Sequence, residues 1–341
     1  MNITSDKKSK KVPVSIITGF LGSGKTTLIK HLVAQPSMNN IALIINEFGE
    51  VGLDNLLIES SIENTLLLEN GCICCSIRGD LIDTINDLFT KALTGKIAKF
   101  TRIVIETTGL ANPGPIINCI RSDNVISTKC ELSNVITLVD GIQGASQLVK
   151  YSEAKIQVAQ ADLCLISKCD IGSPRNINNL EKDLLKINPI LRVENIENGR
   201  INSELLFGTV SPEFRSIELV DHHFNEGTEG FSHGDISSWS FESDEEVDEL
   251  RFRDWINMLY SLRPYSMLRM KGIVKFKDRK QPTLIQAVGS SMSKLQEIDG
   301  WSLGSNQTRL VLIFTGLSQR TVSSSFSRWV LNGRGSQRKI S

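Results

Sequence analysis

The chain has 341 residues, and 38 Lys and Arg balance 38 Asp and Glu, so its formal net charge is zero. Apolar residues at 40% and charged residues at 22% describe an ordinary globular chain, which excludes a disordered one. Neutrality argues against nucleic acid or an anionic membrane as the main partner, and no apolar run approaches the roughly 20 residues that span a bilayer.

This length predicts two domains. Residues 1–11, MNITSDKKSKK, are a polar, basic lead with no apolar stretch and cleavage site behind it, which predicts a soluble, cytoplasmic protein. From Val12 onward, apolar β-branched runs alternate with helical patterns. The runs at Val12–Thr18, Ile41–Ile45, Arg102–Glu106, Val135–Val139 and Leu163–Ile166 read as strands. Leu81, Ile85, Leu88 and Phe89 repeat at helical spacing. Such alternation predicts an α/β domain over 12–210, with a mainly parallel sheet and flanking helices. Residues 211–235 lose periodicity, gain glycine and hold three of the four histidines, so they read as a linker. A smaller α+β domain is expected over 236–318. Its strands fall at Ile236–Phe241, Leu268–Phe276, Thr283–Val288 and Leu310–Thr315, and its helix bears Phe252, Ile256, Leu259 and Tyr260. The Ser- and Arg-rich segment 319–341 reads as a frayed basic tail.

Gly19-Phe20-Leu21-Gly22-Ser23-Gly24-Lys25-Thr26 fits G-x-x-x-x-G-K-[ST] in full, after an apolar strand and before an amphipathic helix. Glycines let successive N–H groups point into one concavity, and the helix N-terminus adds partial positive charge. Gly19, Gly22, Ser23, Gly24, Lys25, Thr26 and Thr27 are therefore the expected phosphate-binding residues, with Lys25 on the β- and γ-phosphates and Thr26 on Mg²⁺. The domain is thus expected to be a P-loop NTPase. Glu106, at a strand tip and followed by Thr107-Thr108-Gly109, suits a water-mediated Mg²⁺ contact, and the Gly109 N–H suits sensing of the γ-phosphate. Ser167-Lys168-Cys169-Asp170 is close to the N-K-x-D guanine reader, in which the Asp accepts from the base and the Lys stem packs on the purine. Asn46-Glu47-Phe48-Gly49-Glu50 follows the second strand, where a switch loop must reach the γ-phosphate.

Three of the seven cysteines crowd together in Gly71-Cys72-Ile73-Cys74-Cys75, just before a helix. Thiolates at this spacing can converge on one soft or borderline cation, and a helix N-terminus favours the anionic form. Buried small hydrophobes and a redox pair are the other readings of such cysteines. Three thiolates plus one carboxylate satisfy tetrahedral Zn²⁺, and Glu50 is the candidate acid on the nucleotide-responsive segment. His222, His223 and His233 are either further ligands or plain solvated residues. Cys119, Cys130, Cys164 and Cys169 fall in or beside core elements and read as structural.

GFLGSGKTT (19–27), NEFGEVGLD (46–54), GCICC (71–75), ETTGLANPGP (106–115), SKCD (167–170), RMKGIVKF (269–276), the region of Trp301 and RLVLIFTG (309–316) together resemble the CobW family of P-loop GTPases, across nearly the whole chain. That family includes zinc-regulated GTPase metalloprotein activators. The resemblance implies weak GTP hydrolysis to GDP, with Lys25, Glu47, Glu106 and Gly109 as the catalytic set. It also implies delivery of Zn²⁺, or less often Co²⁺, to a client metalloprotein through Cys72, Cys74, Cys75 and Glu50. Ile45 stands where some relatives have an acid, Ser167 where the base reader has Asn, and the histidine tract is short. A nucleotide-regulated metal store or sensor, or a P-loop small-molecule kinase, are the competing readings, and homo-oligomerisation is open.

Overall fold

The computed structural model describes residues 11–45, 66–69, 77–207, 220, 223–224, 232–233, 236–263, 265–300 and 306–331. Its first unit is built on β1 (Val12–Gly19), β2 (Ile41–Ile45), β3 (Leu66–Glu69), β4 (Arg102–Glu106), β5 (Cys130–Asp140), β6 (Leu163–Ser167) and β7 (Arg192–Asn195). These seven strands form one sheet in the order β3-β2-β4-β1-β5-β6-β7, and every pairing is parallel. The β2, β4 and β6 runs are apolar almost throughout because helices cover both faces, as a parallel sheet requires. Helices α1 (Lys25–Val33), α2 (Ile77–Leu93), α3 (Gly114–Ser122), the short α4 (Ile126–Lys129), α5 (Gly144–Lys150), α6 (Ser152–Gln160), α7 (Pro174–Ile187) and α8 (Ser203–Phe207) supply those covers. Parallel register sets Ile17 beside Glu106, Gly19 beside Leu138, and Asp140 beside Ser167. The carboxyl ends of β1, β4, β5 and β6 therefore share one rim, where open α/β sheets bind ligands.

The second unit is an antiparallel sheet. Strands β8 (Ser232–His233), β9 (Ile236–Ser243), β10 (Met267–Val274), β11 (Thr283–Val288), β12 (Ser291–Met292) and β14 (Thr308–Thr315) run in the order β12-β11-β10-β14-β9-β8, and β13 (Gln296–Glu297) pairs with β11. Helix α9 (Glu249–Leu262), capped by the Asp248 side chain, and α10 (Gln319–Phe326) cover one face. Trp239, Trp255, Phe252 and Phe326 form the aromatic core beneath them.

Two findings differ from the sequence expectation. Residues 319–331 are no frayed tail over their described length: Val322, Phe326 and Val330 are buried in that aromatic core at helical spacing. The described part of 211–235 is likewise tied down, with Val220 fully buried in a core that joins both units. In that shared core Ile236, Leu268, Val311 and Ile313 of the second sheet pack with Val158, Ile177 and Leu184 of the first unit. No helix among the described residues is long and apolar enough to cross a membrane.

Candidate functional site

The turn after β1 owes its shape to backbone that only glycine adopts easily. Gly19, Gly22 and Gly24 have φ of 146°, 74° and 93°, and a side chain on Gly19 would meet the Leu138 carbonyl at 2.4 Å. The loop closes with Ser23 N–H donating to the Phe20 carbonyl at 3.1 Å, and α1 then starts at Lys25. Lys25 Nζ curls back over the loop, donating to the carbonyls of Gly19 at 2.9 Å and Phe20 at 3.4 Å. Thr26 is half-buried in the first helical turn and Thr27 is exposed. A cradle of N–H groups at a helix N-terminus, roofed by one ammonium, is built for polyphosphate.

Glu106 ends β4 as a buried carboxylate, 3% exposed, on the same rim. Its neighbour Thr107 is pinned to β1: the backbone N–H donates to Ile17 at 2.9 Å and the hydroxyl to Thr18 Oγ1 at 2.7 Å. Gly109 lies hard against the phosphate loop, where an added Cβ would fall 2.6 Å from Leu21 Cδ2 and 2.8 Å from Leu21 N. The expected γ-phosphate sensor thus touches the phosphate loop itself.

The segment after β6 forms the third wall. Ser167 Oγ donates to the Ser23 carbonyl at 2.8 Å, joining the segment expected to read the base to the phosphate loop. Lys168 takes a left-handed φ of 58°, and its Nζ pairs with Asp140 Oδ2 at 2.5 Å. Asp140 Oδ1 also accepts from Ile142 and Gln143 N–H at 2.8 and 3.0 Å. Burial works against its charge, but the Lys168 bond and the two backbone donors prevail and hold the carboxyl below its ordinary range. Asp170 is exposed at the end of this segment. Sequence reasoning missed Asp140, whose signal was an acid at the tip of an apolar strand. It also missed the turn at Asn198-Gly199 after β7, where φ is 52° and 69° and Gly199 packs against Thr27 and Leu28.

Glu47, Glu50, Cys72, Cys74, Cys75 and His222 lie outside the described residues, as does the side chain of His233. Among the described residues, no three of His, Cys, Asp and Glu gather as a metal site needs. His223 is buried, with Nε2 2.7 Å from Ser240 Oγ and the ring edge-on to Phe224, so it is no solvated histidine. Cys119, Cys130 and Cys164 are buried and in no disulfide, as the structural reading requires. Burial pushes the Cys130 thiol up to about 12 and the Cys164 thiol higher still, so neither is a thiolate near neutrality.

A parallel sheet with this phosphate loop and rim defines a P-loop nucleotide-binding protein. Residues 13–194 match the CobW/HypB/UreG nucleotide-binding domain, and residues 236–330 match the cobalamin synthesis protein cobW C-terminal domain. The chain belongs to the CobW/HypB/UreG family of P-loop GTPases. It is 35% identical over 286 residues to the zinc chaperone YjiA of Escherichia coli K12, covering 81% of this chain and 86% of that one. It is 28% identical over 344 residues to the zinc chaperone CobW of a Sinorhizobium species, covering 91% and 94%. The Zn(II)-bound crystal structure of the YjiA GTPase superposes with a TM-score of 0.72 at 27% identity, over 94% of this chain and 99% of that one.

Proposed function

We propose that this chain is a GTP-hydrolysing metallochaperone that takes up Zn²⁺, with Co²⁺ as a second candidate, at Cys72, Cys74 and Cys75 and hands it to a client metalloprotein. The observation that supports this best is the bond from Ser167 Oγ to the Ser23 carbonyl, 2.8 Å long. It makes one rigid unit of the loop suited to phosphates and the segment suited to guanine. A nucleotide spanning both would meet Lys25 at one end and Lys168 and Asp170 at the other. The zinc chaperones similar over most of the chain supply the metal half of the reading.

The donor set fits Mg²⁺: a half-buried Thr26 hydroxyl and a buried Glu106 carboxylate are hard oxygen ligands. When bound, Mg²⁺ would draw charge from the phosphates. Lys25 would neutralise the β- and γ-phosphates, and the Gly109 N–H would register whether a γ-phosphate is present. Glu47 and Glu50 share the short 46–54 segment, so an acid facing the γ-phosphate and a carboxylate for the cysteines belong to one piece of chain. GTP and Zn²⁺ would then bias the same element, and a reciprocal coupling of about 1–3 kcal/mol is typical.

A competition titration with a zinc chelator tests this in the GTP and GDP states, repeated on Cys74→Ser and Glu50→Ala. The expected result is about one zinc per chain, held roughly 5- to 150-fold more tightly with GTP, the range of such a coupling. Affinity should fall below neutral pH because thiolates must shed protons to ligate. Equal affinity with both nucleotides removes the coupling, and unchanged affinity in Cys74→Ser removes the site.

A further inference from the structure

Gln157 sits within α6 with no exposed surface. Its Nε2 donates to two carbonyls of one loop, Gly109 at 3.1 Å and Ala111 at 3.0 Å. Its own backbone carbonyl accepts from Thr137 Oγ1 at 2.9 Å, which fixes the residue against β5. Oε1 has no hydrogen-bond partner among the described residues, and Gln157 lines a small cavity together with Phe20 of the phosphate loop. The buried residues of α6 are Ala154, Val158 and Ala159 beside two amides, Gln157 and Gln160, and of these Gln157 is the one whose side chain donates to loop 109–111. One turn further on, the C-terminal end of the same helix is held by the second sheet. The Gln160 carbonyl accepts from Arg269 Nη1 at 3.3 Å, and Asp162 pairs with Arg269 and, at 2.8 Å, with Lys271.

We infer that Gln157 is a positioning residue for the nucleotide cycle: its paired hydrogen bonds set the seat of loop 109–111 against the phosphate loop, and α6 conveys that seat to the C-terminal sheet. The inference rests on reading Gly109 as the γ-phosphate sensor. Gln157 touches no nucleotide in this scheme and acts through the loop backbone. Its loss therefore costs what only a γ-phosphate adds. GDP binding is spared, while binding of a GTP analogue and hydrolysis are not.

The experiment uses full-length wild type, Gln157→Met and Gln157→Glu. Met keeps the volume without polarity, and Glu turns the double donor into an acceptor facing two carbonyls. Fluorescent GDP and a non-hydrolysable GTP analogue are titrated with Mg²⁺, and turnover is measured alongside. All four tryptophans, Trp239, Trp255, Trp301 and Trp329, belong to the C-terminal part of the chain, so intrinsic emission reports on that part alone. The expected result is GDP affinity within about twofold of wild type and analogue affinity lower by about tenfold, as loss of buried hydrogen bonds gives. kcat should fall as well. Wild type should emit differently with the analogue and with GDP, and both variants at saturation should lose that difference. Equal losses for GDP and the analogue, or a preserved emission difference, overturn the proposal. Wild type with no emission difference overturns the relay without any substitution. Gly109→Ala separates the underlying reading: if it discriminates the two nucleotides as wild type does, loop 109–111 is not the sensor.

Discussion

Replacing Ser167 with Ala removes one hydroxyl that holds two binding loops together. The hydroxyl makes a 2.8 Å bond to the Ser23 carbonyl and a marginal 3.4 Å contact with the Val139 carbonyl, and the residue is 4% exposed. A buried neutral hydrogen bond contributes a net ~0.5–1.5 kcal/mol, and a carbonyl stripped of its donor costs about 1–3 kcal/mol. The long contact adds little, so the junction is worth about 1–2 kcal/mol. If this appears as binding, nucleotide affinity falls roughly 5- to 30-fold, at tenfold per 1.4 kcal/mol. On the proposed reading GDP and GTP would both span the two loops, so they should weaken alike, raising KM and leaving kcat unchanged. Ser167→Thr keeps the hydroxyl. The Gly24 backbone opposite leaves space, since even an added Cβ there would lie 3.7 Å from Ser167, and this variant should stay near wild type. Titration of both fluorescent nucleotides, with a thermal melt to verify folding, makes the measurement. A GDP affinity within twofold of wild type in a stable Ser167→Ala protein refutes the reasoning.

Lys25→Ala should cost roughly a hundredfold or more in nucleotide affinity, since hydrogen bonds to charged groups are worth about 1.5–3 kcal/mol each and the ammonium would face two phosphates. Undiminished GTP binding by calorimetry would place the phosphate site elsewhere. Asp170→Asn should weaken GTP and admit xanthine nucleotides, because an acceptor facing the base edge becomes a donor; ATP displacing GTP at equal concentration from wild type would refute the guanine assignment. Asp162→Asn should destabilise the fold by about 3–5 kcal/mol, as breaking a buried pair does, and lower the melting temperature by roughly 10 °C. Burial opposes charge on Asp162, but Arg269 and Lys271 outweigh it and bring its carboxyl down to about 2. A depressed folded value stabilises above the ordinary carboxylate range and is lost as pH falls toward 2. The wild-type urea midpoint should therefore drop between about pH 4 and pH 2, and Asp162→Asn should lack that component.

Strand reading succeeds where burial on both faces leaves an unbroken apolar run. Ile41–Ile45 and the Ile103–Ile105 centre of Arg102–Glu106 are such runs, and both strands have the bounds their sequences suggest. It fails where composition masks periodicity. Val322, Phe326 and Val330 recur every four residues, yet serines and arginines around them read as a tail. Polar residues in buried strands are harder still. Arg269 and Lys271 are each 1% exposed within β10, and the carboxylate that justifies them, Asp162, lies in another domain of the sequence. No local pattern reveals a charge whose partner arrives only through folding.

The phosphate loop was legible because its chemistry is local: consecutive N–H groups, one lysine and one hydroxyl suffice. Its supports are not local. Asp140 steadies Lys168 from the neighbouring strand, and Gln157 holds Gly109 from a helix five elements on. The same distinction governs how nucleotide state can reach the C-terminal sheet. Helix α3 leaves directly from loop 106–113 and touches the second unit through Asn118 to Ser290 Oγ at 3.0 Å and Arg121 to the Ser291 carbonyl at 3.0 Å. Helix α6 grips the same loop through Gln157 and the same unit through Gln160 and Arg269. The first contact lies on the strand-pair edge β11–β12 and the second on central β10. A shift of the loop would therefore reach the sheet at two separated points. Cutting either sheet contact alone should reduce the GTP-dependent change in tryptophan emission without abolishing it, whereas the Gln157 substitutions unseat the loop that feeds both contacts and abolish it.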